Sequence, residues 1–276
     1  MTLKENKSIQ FANMEAMKIF GYAAGKLDGI KFTKLLHKSQ NVELENIFSE
    51  NEDSKNEKPI VELIGIHRDN SAFPIELSIS INKIKDETLI SVIIRDITEF
   101  KKNEENLKYQ AYFDQLTEIP NRTLFSDRAE NAINQAKRSD EGLAIIFIDL
   151  DEFKNINDTY GHEVGDIFLK NIAKRFIRSA RKSDTVSRRG GDEFTILMPR
   201  IKNTEDAAYL AERILESNKE PIVINKTSIY PKTSIGISVY PDDGDTVDVL
   251  IEKADKAMYC AKELGKNRYL FNQTDI

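Results

Sequence analysis

Leu143-Ala144-Ile145-Ile146-Phe147-Ile148, followed at once by Asp149, is the stretch that decides the fold of the larger part of this chain. An apolar run of this length, without a polar interruption, is typical of a strand that is buried on both faces. Such a strand needs helices packed against each side of it. The sequence therefore predicts a central sheet flanked by helices, with a carboxylate at the end of its innermost strand.

The residues beyond this strand alternate between helical and extended patterns. Apolar residues from Val164 to Phe176 recur at helical spacing, and a hairpin follows whose second strand is Phe194–Met198. The same patterns predict a helix, a strand and a further helix at Ala207–Leu215, Ser234–Tyr240 and Val247–Ala261. Residues 114–276 are thus predicted to form one α/β domain.

Two acidic clusters lie at the ends of predicted strands. Asp149 ends the apolar strand, where open α/β sheets usually keep their ligands, and Asp151-Glu152 follow in the loop. Asp192-Glu193 come directly after Gly190-Gly191, a hairpin tip at which no Cβ keeps a ligand from the backbone. Either cluster alone also fits a solvated acidic loop. If strand pairing brings Asp192 beside Asp149, however, their repulsion requires a cation, and Mg²⁺ suits such a site.

Gly190-Gly191-Asp192-Glu193-Phe194 also matches, letter for letter, the signature that names the GGDEF family of diguanylate cyclases. Further motifs of the family occur in the same order and spacing, namely Asp114, Leu116-Thr117, Pro120-Asn121-Arg122, Asp149 to Lys154, Asn157 to His162, Gly165-Asp166, Asp255, Met258-Tyr259, Ala261-Lys262 and Gly265-Lys266-Asn267. The chain resembles this family over residues 112–271. The resemblance implies a nucleotidyl-cyclase-like α/β sandwich that condenses two GTP molecules into cyclic di-GMP and releases two pyrophosphates.

The resemblance implies a metal site and the catalytic residues beside it. Asp149 and Asp192 would bind Mg²⁺, or Mn²⁺ in its place, through their side chains, and Leu150 through its carbonyl oxygen. Glu193 would lie at or near a second metal ion. Asp192 and Glu193 are the implied catalytic residues, since Asp192 would also promote deprotonation of the 3′-hydroxyl.

The resemblance also implies the contacts to GTP. Asn157 and Asp166 would hydrogen-bond the guanine, a role that suits an amide and a carboxylate facing the donors and acceptors of the ring. Lys262 and Lys266 would reach the terminal phosphates as point charges. The other implied substrate-binding residues are Phe153, Lys154 and His162.

Each of these residues taken alone has a simpler interpretation. Asn157-Asp158-Thr159 fits an ordinary turn, and His162-Glu163 fits the polar first turn of the following helix. Lys262 and Lys266, four residues apart, fit an exposed basic stripe on a helix. Their occurrence together, in the order of the family, favours the functional interpretation.

The implied reaction requires two copies of the domain. The 3′-hydroxyl of one GTP attacks the α-phosphorus of the other, and each domain binds one GTP, so a homodimer is part of the active site. The alternative is a non-catalytic module that only binds GTP or cyclic di-GMP. Such domains usually carry a damaged signature, whereas residues 190–194 are intact.

Arg181-Lys182-Ser183-Asp184 precedes the glycines at the spacing of the family's RxxD inhibitory site. The resemblance implies that Arg181 and Asp184 bind the product, whose guanine edges and phosphates suit an Arg fork. A charged helix end that runs into a loop is the simpler interpretation. Two residues depart from the family pattern, since Glu118 replaces a usual Gly and Arg189 a usual apolar or aromatic residue.

The first 98 residues follow a different, α+β pattern. A short extended segment at Ser8–Ala12 and a helix at Asn13–Gly21 precede alternating strands, in which Gly65 is expected to form a bulge. Ile75 to Ile81 alternate without interruption, and a turn at Lys85-Asp86-Glu87-Thr88 leads to a third strand. The pattern predicts an antiparallel sheet with helices on one side.

This segment resembles a PAS domain in Phe11-Ala12-Asn13, Phe20-Gly21-Tyr22 and the closing Arg95-Asp96-Ile97-Thr98. Almost nothing precedes Phe11, so the first strand of such a domain is expected to be missing. The sheet edge left unpaired would then be covered by another chain or by the N-terminal tail. The ligand of this sensor-like domain is not apparent. Either His37 or His67 would suit haem, but a lone His is more often an ordinary residue.

Residues 99–113 are predicted to be a helical linker between the two domains. Phe100 and Leu107 lie one heptad apart in a charged stretch without Pro or Gly, so two copies would form a short parallel coiled coil. A solvated single helix fits these residues equally well.

Composition limits the class of protein. A net charge of −6 argues against a partner that is nucleic acid. Hydrophobic residues make up 40% of the chain, yet no stretch is long enough to span a bilayer, and a cytoplasmic location is expected. The single cysteine, Cys260, excludes an internal disulfide, excludes a cysteine-adduct flavin site in the first domain, and is predicted to be buried on a helix.

Overall fold

The structure, a computed structural model, describes residues 1–40, 42, 44–48, 60–84 and 87–272. The chain divides into two compact units, Met1–Leu107 and Lys108–Ile276. No helix in the described part of the chain combines the length and the apolar character that crossing a membrane requires.

The first unit is a five-stranded antiparallel sheet with helices. Its strands lie in the order β2-β1-β5-β4-β3. They are β1 (Thr2–Leu3), β2 (Ile9–Phe11), β3 (Val61–Ile66), β4 (Ala72–Ile84) and β5 (Glu87–Asp96). Its helices are α1 (Met14–Ile19), two 3₁₀ turns (Phe32–Leu35 and Lys38–Gln40) and a helical segment at residues 44–48. The strand order and the register contradict two of the expectations from the sequence.

The expectation that the first strand is missing is wrong. Thr2 and Leu3 pair with Ser91 and Ile90 of β5, and the same two residues pair with β2 on their other side. Leu3 is fully buried, which anchors this short strand. The edge of β5 is therefore covered by the N-terminal residues of the chain itself.

The bulge expected at Gly65 is also absent. The pairing of β3 with β4 keeps its register from Val61 to Ile66. Gly65 occupies an inward position, where a Cβ would lie 2.8 Å from two ring atoms of Phe73. The glycine makes room for that ring rather than bending the strand. Two residues of the predicted turn, Lys85 and Asp86, lie outside the described residues.

The linker is the helix α2 (Thr98–Tyr112), as the sequence predicts. None of its residues is buried, and Phe100 and Leu107 are 59% and 66% exposed. Tyr109 stacks on Phe113 at the end of the helix, with ring centroids 4.6 Å apart. A helix without a buried residue contributes little to the hydrophobic core of its own chain.

The second unit is the predicted sheet flanked by helices. Its main sheet has the strand order β12-β11-β6-β8-β7, in which only β11 and β12 are parallel. The strands are β6 (Gly142–Leu150), β7 (Thr185–Gly190), β8 (Glu193–Ile201), β9 (Ile222–Ile224), β10 (Thr227–Ile229), β11 (Thr233–Tyr240) and β12 (Arg268–Phe271). The helices are α3 (Arg122–Ser139), α4 (Phe153–Tyr160), α5 (His162–Ser179), α6 (Glu205–Ser217) and α7 (Val247–Glu263). The small β9-β10 hairpin was not predicted from the sequence.

The central strand is β6, which is buried from Leu143 to Leu150. Its alternate residues supply two separate cores. Ala144, Ile146 and Ile148 pack in the cluster with α5 and α6, whereas the residues between them pack in the cluster with α3 and α7. The apolar run therefore stabilises both layers of helices at once.

Cys260 is exposed, which corrects the prediction that it is buried. The buried face of α7 near its end consists of Ala257, Met258 and Ala261. Cys260 lies between these positions in sequence but on the other side of the helix.

Candidate functional site

Strand pairing brings the two acidic clusters to the same end of the sheet. Asp149 is the register partner of Glu193, and the backbone N–H of Leu150 donates to the carbonyl oxygen of Asp192 at 3.3 Å. Burial raises the pKa of Asp149, which the negative charge of Asp192 raises further. The pKa of Glu193 is raised by burial and then by the charge of Asp149. The three carboxylates therefore repel one another in a partly desolvated place.

Two lysines compensate this negative charge. The ammonium group of Lys262, at the end of α7, lies 2.8 Å from Oδ1 of Asp149 and opposes the rise in its pKa. Lys266, in the loop after α7, lies 3.2 Å from Oε1 of Glu152. The sequence gives these lysines a helical spacing, and the structure shows that both reach the acidic end of β6.

The donors present here suit a Mg²⁺ ion. No cluster of three or more His, Cys, Asp or Glu side chains is already arranged to hold a metal within the described ranges. Mg²⁺ does not need one, because it is commonly bound by one or two carboxylates together with waters and phosphate oxygens. The carboxylate of Asp149 already pairs with one cationic group, the ammonium of Lys262.

The residues predicted to bind guanine lie on α4 and α5. Asn157 of α4 faces Gly165 of α5, where a Cβ would lie 1.9 Å from Oδ1 of the asparagine. Only glycine leaves room for the amide of Asn157 at this position. His162 and Asp166 are exposed and four residues apart, which places them on one face of α5 beside Gly165. Gly161, with φ of +86°, makes the turn between the two helices.

The two remaining residues that are predicted to bind substrate differ in their exposure. Lys154 is exposed on α4. Phe153 is buried and stacks on Phe168, with ring centroids 6.2 Å apart. Its main contact in the described structure is therefore with the core.

Arg188 is a residue of this site that the sequence reasoning missed. Its Nη1 donates to both carboxylate oxygens of Asp114 at 2.9 and 3.1 Å. Its Nε and Nη2 donate to the carbonyl oxygen of Gly191 at 3.0 and 2.8 Å. Asp114 also accepts from the backbone N–H and the hydroxyl of Thr117. One arginine thus ties the tip of the glycine hairpin to the segment that follows α2.

The two departures from the family pattern have visible consequences. Glu118 has φ of +61°, a left-handed conformation that costs a residue with a Cβ roughly 1 to 2 kcal/mol. The guanidinium of Arg189 lies 5.6 Å from the ring centroid of Phe147, and its charge opposes the rise in the pKa of Glu193.

Arg181 and Asp184 lie together in the loop before β7, but their side chains do not pair. The carboxylate of Asp184 accepts from the backbone N–H of Arg181 at 2.7 Å. The guanidinium of Arg181 instead donates to Oδ1 of Asp206 at 3.0 Å, and the other oxygen of Asp206 accepts from the backbone N–H of Lys202.

The two histidines of the first unit contact other protein groups. His67 stacks on Phe73, with ring centroids 3.9 Å apart. Nδ1 of His37 lies 2.7 Å from the hydroxyl of Ser39. Neither contact points to haem.

Comparison with known proteins shows the family. The model of the family described as "Diguanylate cyclase, GGDEF domain" matches residues 111–268, and a PAS domain model matches residues 1–99. The chain therefore belongs to the GGDEF family and carries a PAS domain ahead of its GGDEF domain.

Particular relatives agree with this assignment. The bifunctional diguanylate cyclase/cyclic di-GMP phosphodiesterase MucR of Pseudomonas aeruginosa is 40% identical over 202 residues, which cover 73% of this chain and 29% of the relative. The diguanylate cyclase TpbB of Pseudomonas aeruginosa is 43% identical over 162 residues, or 58% of this chain and 37% of the relative. The chain thus spans well under half the length of these curated relatives.

Solved structures that contain GGDEF domains are similar to part of this chain. The GGDEF domain of TpbB superimposes with a TM-score of 0.57 at 39% identity, covering 58% of this chain and 99% of that one. The coiled coil and GGDEF domain of DgcB from Caulobacter crescentus, solved in complex with c-di-GMP, gives a TM-score of 0.54 at 26% identity. It covers 63% of this chain and 93% of that one.

Proposed function

We propose that this protein is a diguanylate cyclase that condenses two GTP molecules into cyclic di-GMP with release of two pyrophosphates. The observation that carries the proposal is the pairing of Asp149 with Glu193, which joins the two acidic clusters at a site that two lysines also reach. The membership of the chain in the GGDEF family and the activity named for MucR and TpbB support it.

The acidic end of β6 would hold the metal. Asp149 and Asp192 would bind Mg²⁺, or Mn²⁺, through their carboxylates and Leu150 through its carbonyl oxygen, with Glu193 at or near a second ion. Metal ions bound there would neutralise the charge that develops on the attacking oxygen and on the leaving pyrophosphate. The raised pKa values of Asp149 and Glu193 are consistent with carboxylates arranged for a cation.

The other residues would orient the nucleotide. Asn157 and Asp166 hydrogen-bond the guanine, and Lys154 and His162 contribute from the same pair of helices, with Phe153 beneath them. Lys262 and Lys266 hold the terminal phosphates, so Lys262 exchanges the carboxylate of Asp149 for a phosphate when GTP enters. Asp192 assists the loss of the proton from the 3′-hydroxyl, and positioning of the two nucleotides supplies most of the acceleration.

Control would come from outside the catalytic residues. Each domain holds one GTP, so the active form is a homodimer in which two GGDEF domains face each other. Arg181 and Asp184 bind cyclic di-GMP and slow its synthesis, and the PAS domain adjusts the dimer in response to a signal of unknown chemistry. The cytoplasm, which supplies GTP and Mg²⁺, is the proposed location.

The test is turnover of GTP by the full chain with Mg²⁺, followed by chromatography for cyclic di-GMP and an assay for pyrophosphate. Asp192→Asn should lower the rate by about 100-fold or more, because it removes a proposed metal-binding charge. Asp127→Asn, an exposed change on α3, is the matched control and should leave the rate unchanged. Binding of GTP or cyclic di-GMP without product would instead identify a non-catalytic receptor.

A further inference from the structure

Asp151 is a buried carboxylate whose role the proposed mechanism leaves open. It follows β6 directly and is 7% exposed. Its Oδ1 accepts from the hydroxyl of Ser234 at 2.8 Å, and its Oδ2 accepts from the backbone N–H of Asn267 at 3.0 Å. Its own backbone N–H donates to the carbonyl oxygen of Lys232 at 2.9 Å. A buried charge is stable only with such partners, and both oxygens of Asp151 have one.

The segment that Asp151 holds has an unusual backbone. Gly265, Lys266 and Asn267 have φ values of +110°, +62° and +48° in succession. A left-handed backbone is unfavourable for a residue with a Cβ, so two such residues in succession persist only where their surroundings hold them. Gly265 and Lys266 donate to carbonyl oxygens at the end of α7, whereas Asn267 donates to Asp151.

This segment carries Lys266 to the acidic end of β6. The ammonium group of Lys266 lies 3.2 Å from Glu152, the residue next to Asp151. The hydrogen bond between Asp151 and Asn267 therefore joins two parts of the proposed site that are 116 residues apart in sequence. One part is the strand end with Asp149, and the other is the loop with the lysine.

We propose that Asp151 is a positioning residue that fixes the Lys266 loop against the end of β6 and so sets where this lysine meets the triphosphate of GTP. The inference rests on the proposed function. Unlike Asp149, Asp151 would not bind a metal ion, because hydrogen-bond donors from β11 and from the loop already occupy its two oxygens.

Two substitutions separate a positioning role from a metal-binding role. In Asp151→Asn the amide oxygen still accepts from Asn267, and the amide NH₂ donates to Ser234, whose hydroxyl is also an acceptor. We expect this variant to keep its kcat and KM within about 2-fold of wild type. Asp151→Ala loses both hydrogen bonds and should raise the KM for GTP about 10-fold, the loss expected for one misplaced charge-assisted contact.

Coupling to the lysine is measured with a double-mutant cycle. Lys266→Ala should raise KM by a similar factor, and adding Asp151→Ala to it should raise KM little further, because the loop then carries no lysine to misplace. If the two substitutions act independently, so that their factors in KM multiply in the double variant, the proposal is overturned. A variant Asp151→Asn as inactive as Asp149→Asn would also overturn it, because the negative charge itself would then be required.

Hydrogen exchange of the metal-free full chain supplies a readout that does not depend on activity. The backbone amide hydrogen of Asn267 should be protected from exchange in wild type and in Asp151→Asn. It should exchange at least about 10-fold faster in Asp151→Ala. If Asp151→Ala does not fold, Ser234→Ala tests the same contact, since it removes one partner of the carboxylate and should speed the same amide. Unchanged exchange of Asn267 in these variants would refute the positioning role.

A wild-type protein that makes no cyclic di-GMP would refute the proposed function alone. The double-mutant cycle is then measured as the Kd for GTP by titration calorimetry, with the same expectation. Equal Kd values in wild type and Asp151→Ala would refute the positioning role on their own.

Discussion

Arg188 binds two separate parts of this site, although the proposed mechanism gives it no chemical step. Its side chain is 10% exposed and binds both the carboxylate of Asp114 and the carbonyl oxygen of Gly191. Fixing that carbonyl restricts the hairpin tip, whose two glycines would otherwise have wide conformational freedom. The acids that follow the glycines therefore have a defined place before any ligand binds.

The Asp114–Arg188 pair predicts a pH dependence of stability. Burial alone would raise the pKa of Asp114, but hydrogen bonds from Thr117 and Arg188 outweigh it, so its pKa is lowered. A lowered pKa in the folded state means that the stabilisation is present at neutral pH and is lost as the pH falls below about 4. Asp114→Asn should cost about 1 to 3 kcal/mol at pH 7 and progressively less in acid.

Urea unfolding of the full chain at several pH values measures this difference. Asp127→Asn, an exposed carboxylate on the neighbouring helix α3, is the control and should show almost none of it. A stability gap for Asp114→Asn that stays constant from pH 7 to pH 3 would contradict the assignment.

Sequence alone predicts the residues of the site better than their partners. Asp149 and Asp192 follow from the position of charges at the ends of strands, a signal that is local in sequence. Arg188 and Asp114 are 74 residues apart, and Asp151 and Asn267 are 116 apart, so no spacing rule connects them. The specific roles given to the site residues stay predictions.

At the level of elements, the most restrictive contact lies between β11 and α7. A Cβ on Gly236 would lie 1.9 Å from the carbonyl oxygen of Ala254 and 2.2 Å from the backbone N of Met258. These are backbone atoms of a helix, which no side-chain rotation moves. The helix that delivers Lys262 thus packs directly on a strand beside β6.

Gly236→Ala should therefore destabilise the protein by about 3 kcal/mol or more, because α7 must shift as a body. Thermal unfolding by circular dichroism measures the effect. Gly142→Ala is the matched control in the same sheet, since its Cβ would lie 3.2 Å from a side-chain atom of Ile201 and no closer than 3.4 Å to a backbone atom. Its cost should stay below about 1 kcal/mol. Equal costs for the two variants would show that close packing of α7 is not the reason.

The sequence predicts an element well where it is an amphipathic helix with one apolar face or a strand that is buried on both faces. The run at 143–148 identifies β6 as the central strand, and helical spacing identifies α5 and α7. The sequence does not predict the strand β1, because two residues carry no periodicity. The sequence does not reveal the role of Gly65, because a glycine that makes room for a ring on the next strand and a glycine that bends its own strand give the same pattern.

For the whole molecule, the proposed reaction depends on association of two chains. Phe100 and Leu107 are exposed one heptad apart on α2, a helix that has no buried residue of its own. Pairing of two such helices would bury these side chains, each contributing about 1.5 to 3 kcal/mol when fully buried. If α2 is instead a solvated single helix, these two side chains stay in water and contribute no such stabilisation.

The specific activity of the full chain should therefore rise with protein concentration. Phe100→Glu combined with Leu107→Glu should shift this rise to concentrations about 10-fold higher or more. Gln110→Glu, an exposed change on the same helix, should leave it in place. Sedimentation velocity measures association directly. The coiled-coil interpretation fails if the double variant associates as wild type does.

The ion pair of Arg181 with Asp206 bears on the proposed feedback inhibition. Under the proposed feedback, cyclic di-GMP that binds the Nη2 group of Arg181 would compete with the carboxylate of Asp206, which also accepts from the backbone N–H of Lys202. Asp206 would then be an intramolecular competitor of the proposed inhibitor, at an effective concentration that the fold sets. The level at which synthesis stops would then be tuned by a residue of α6, and evolution could reset that threshold without altering any group that handles GTP.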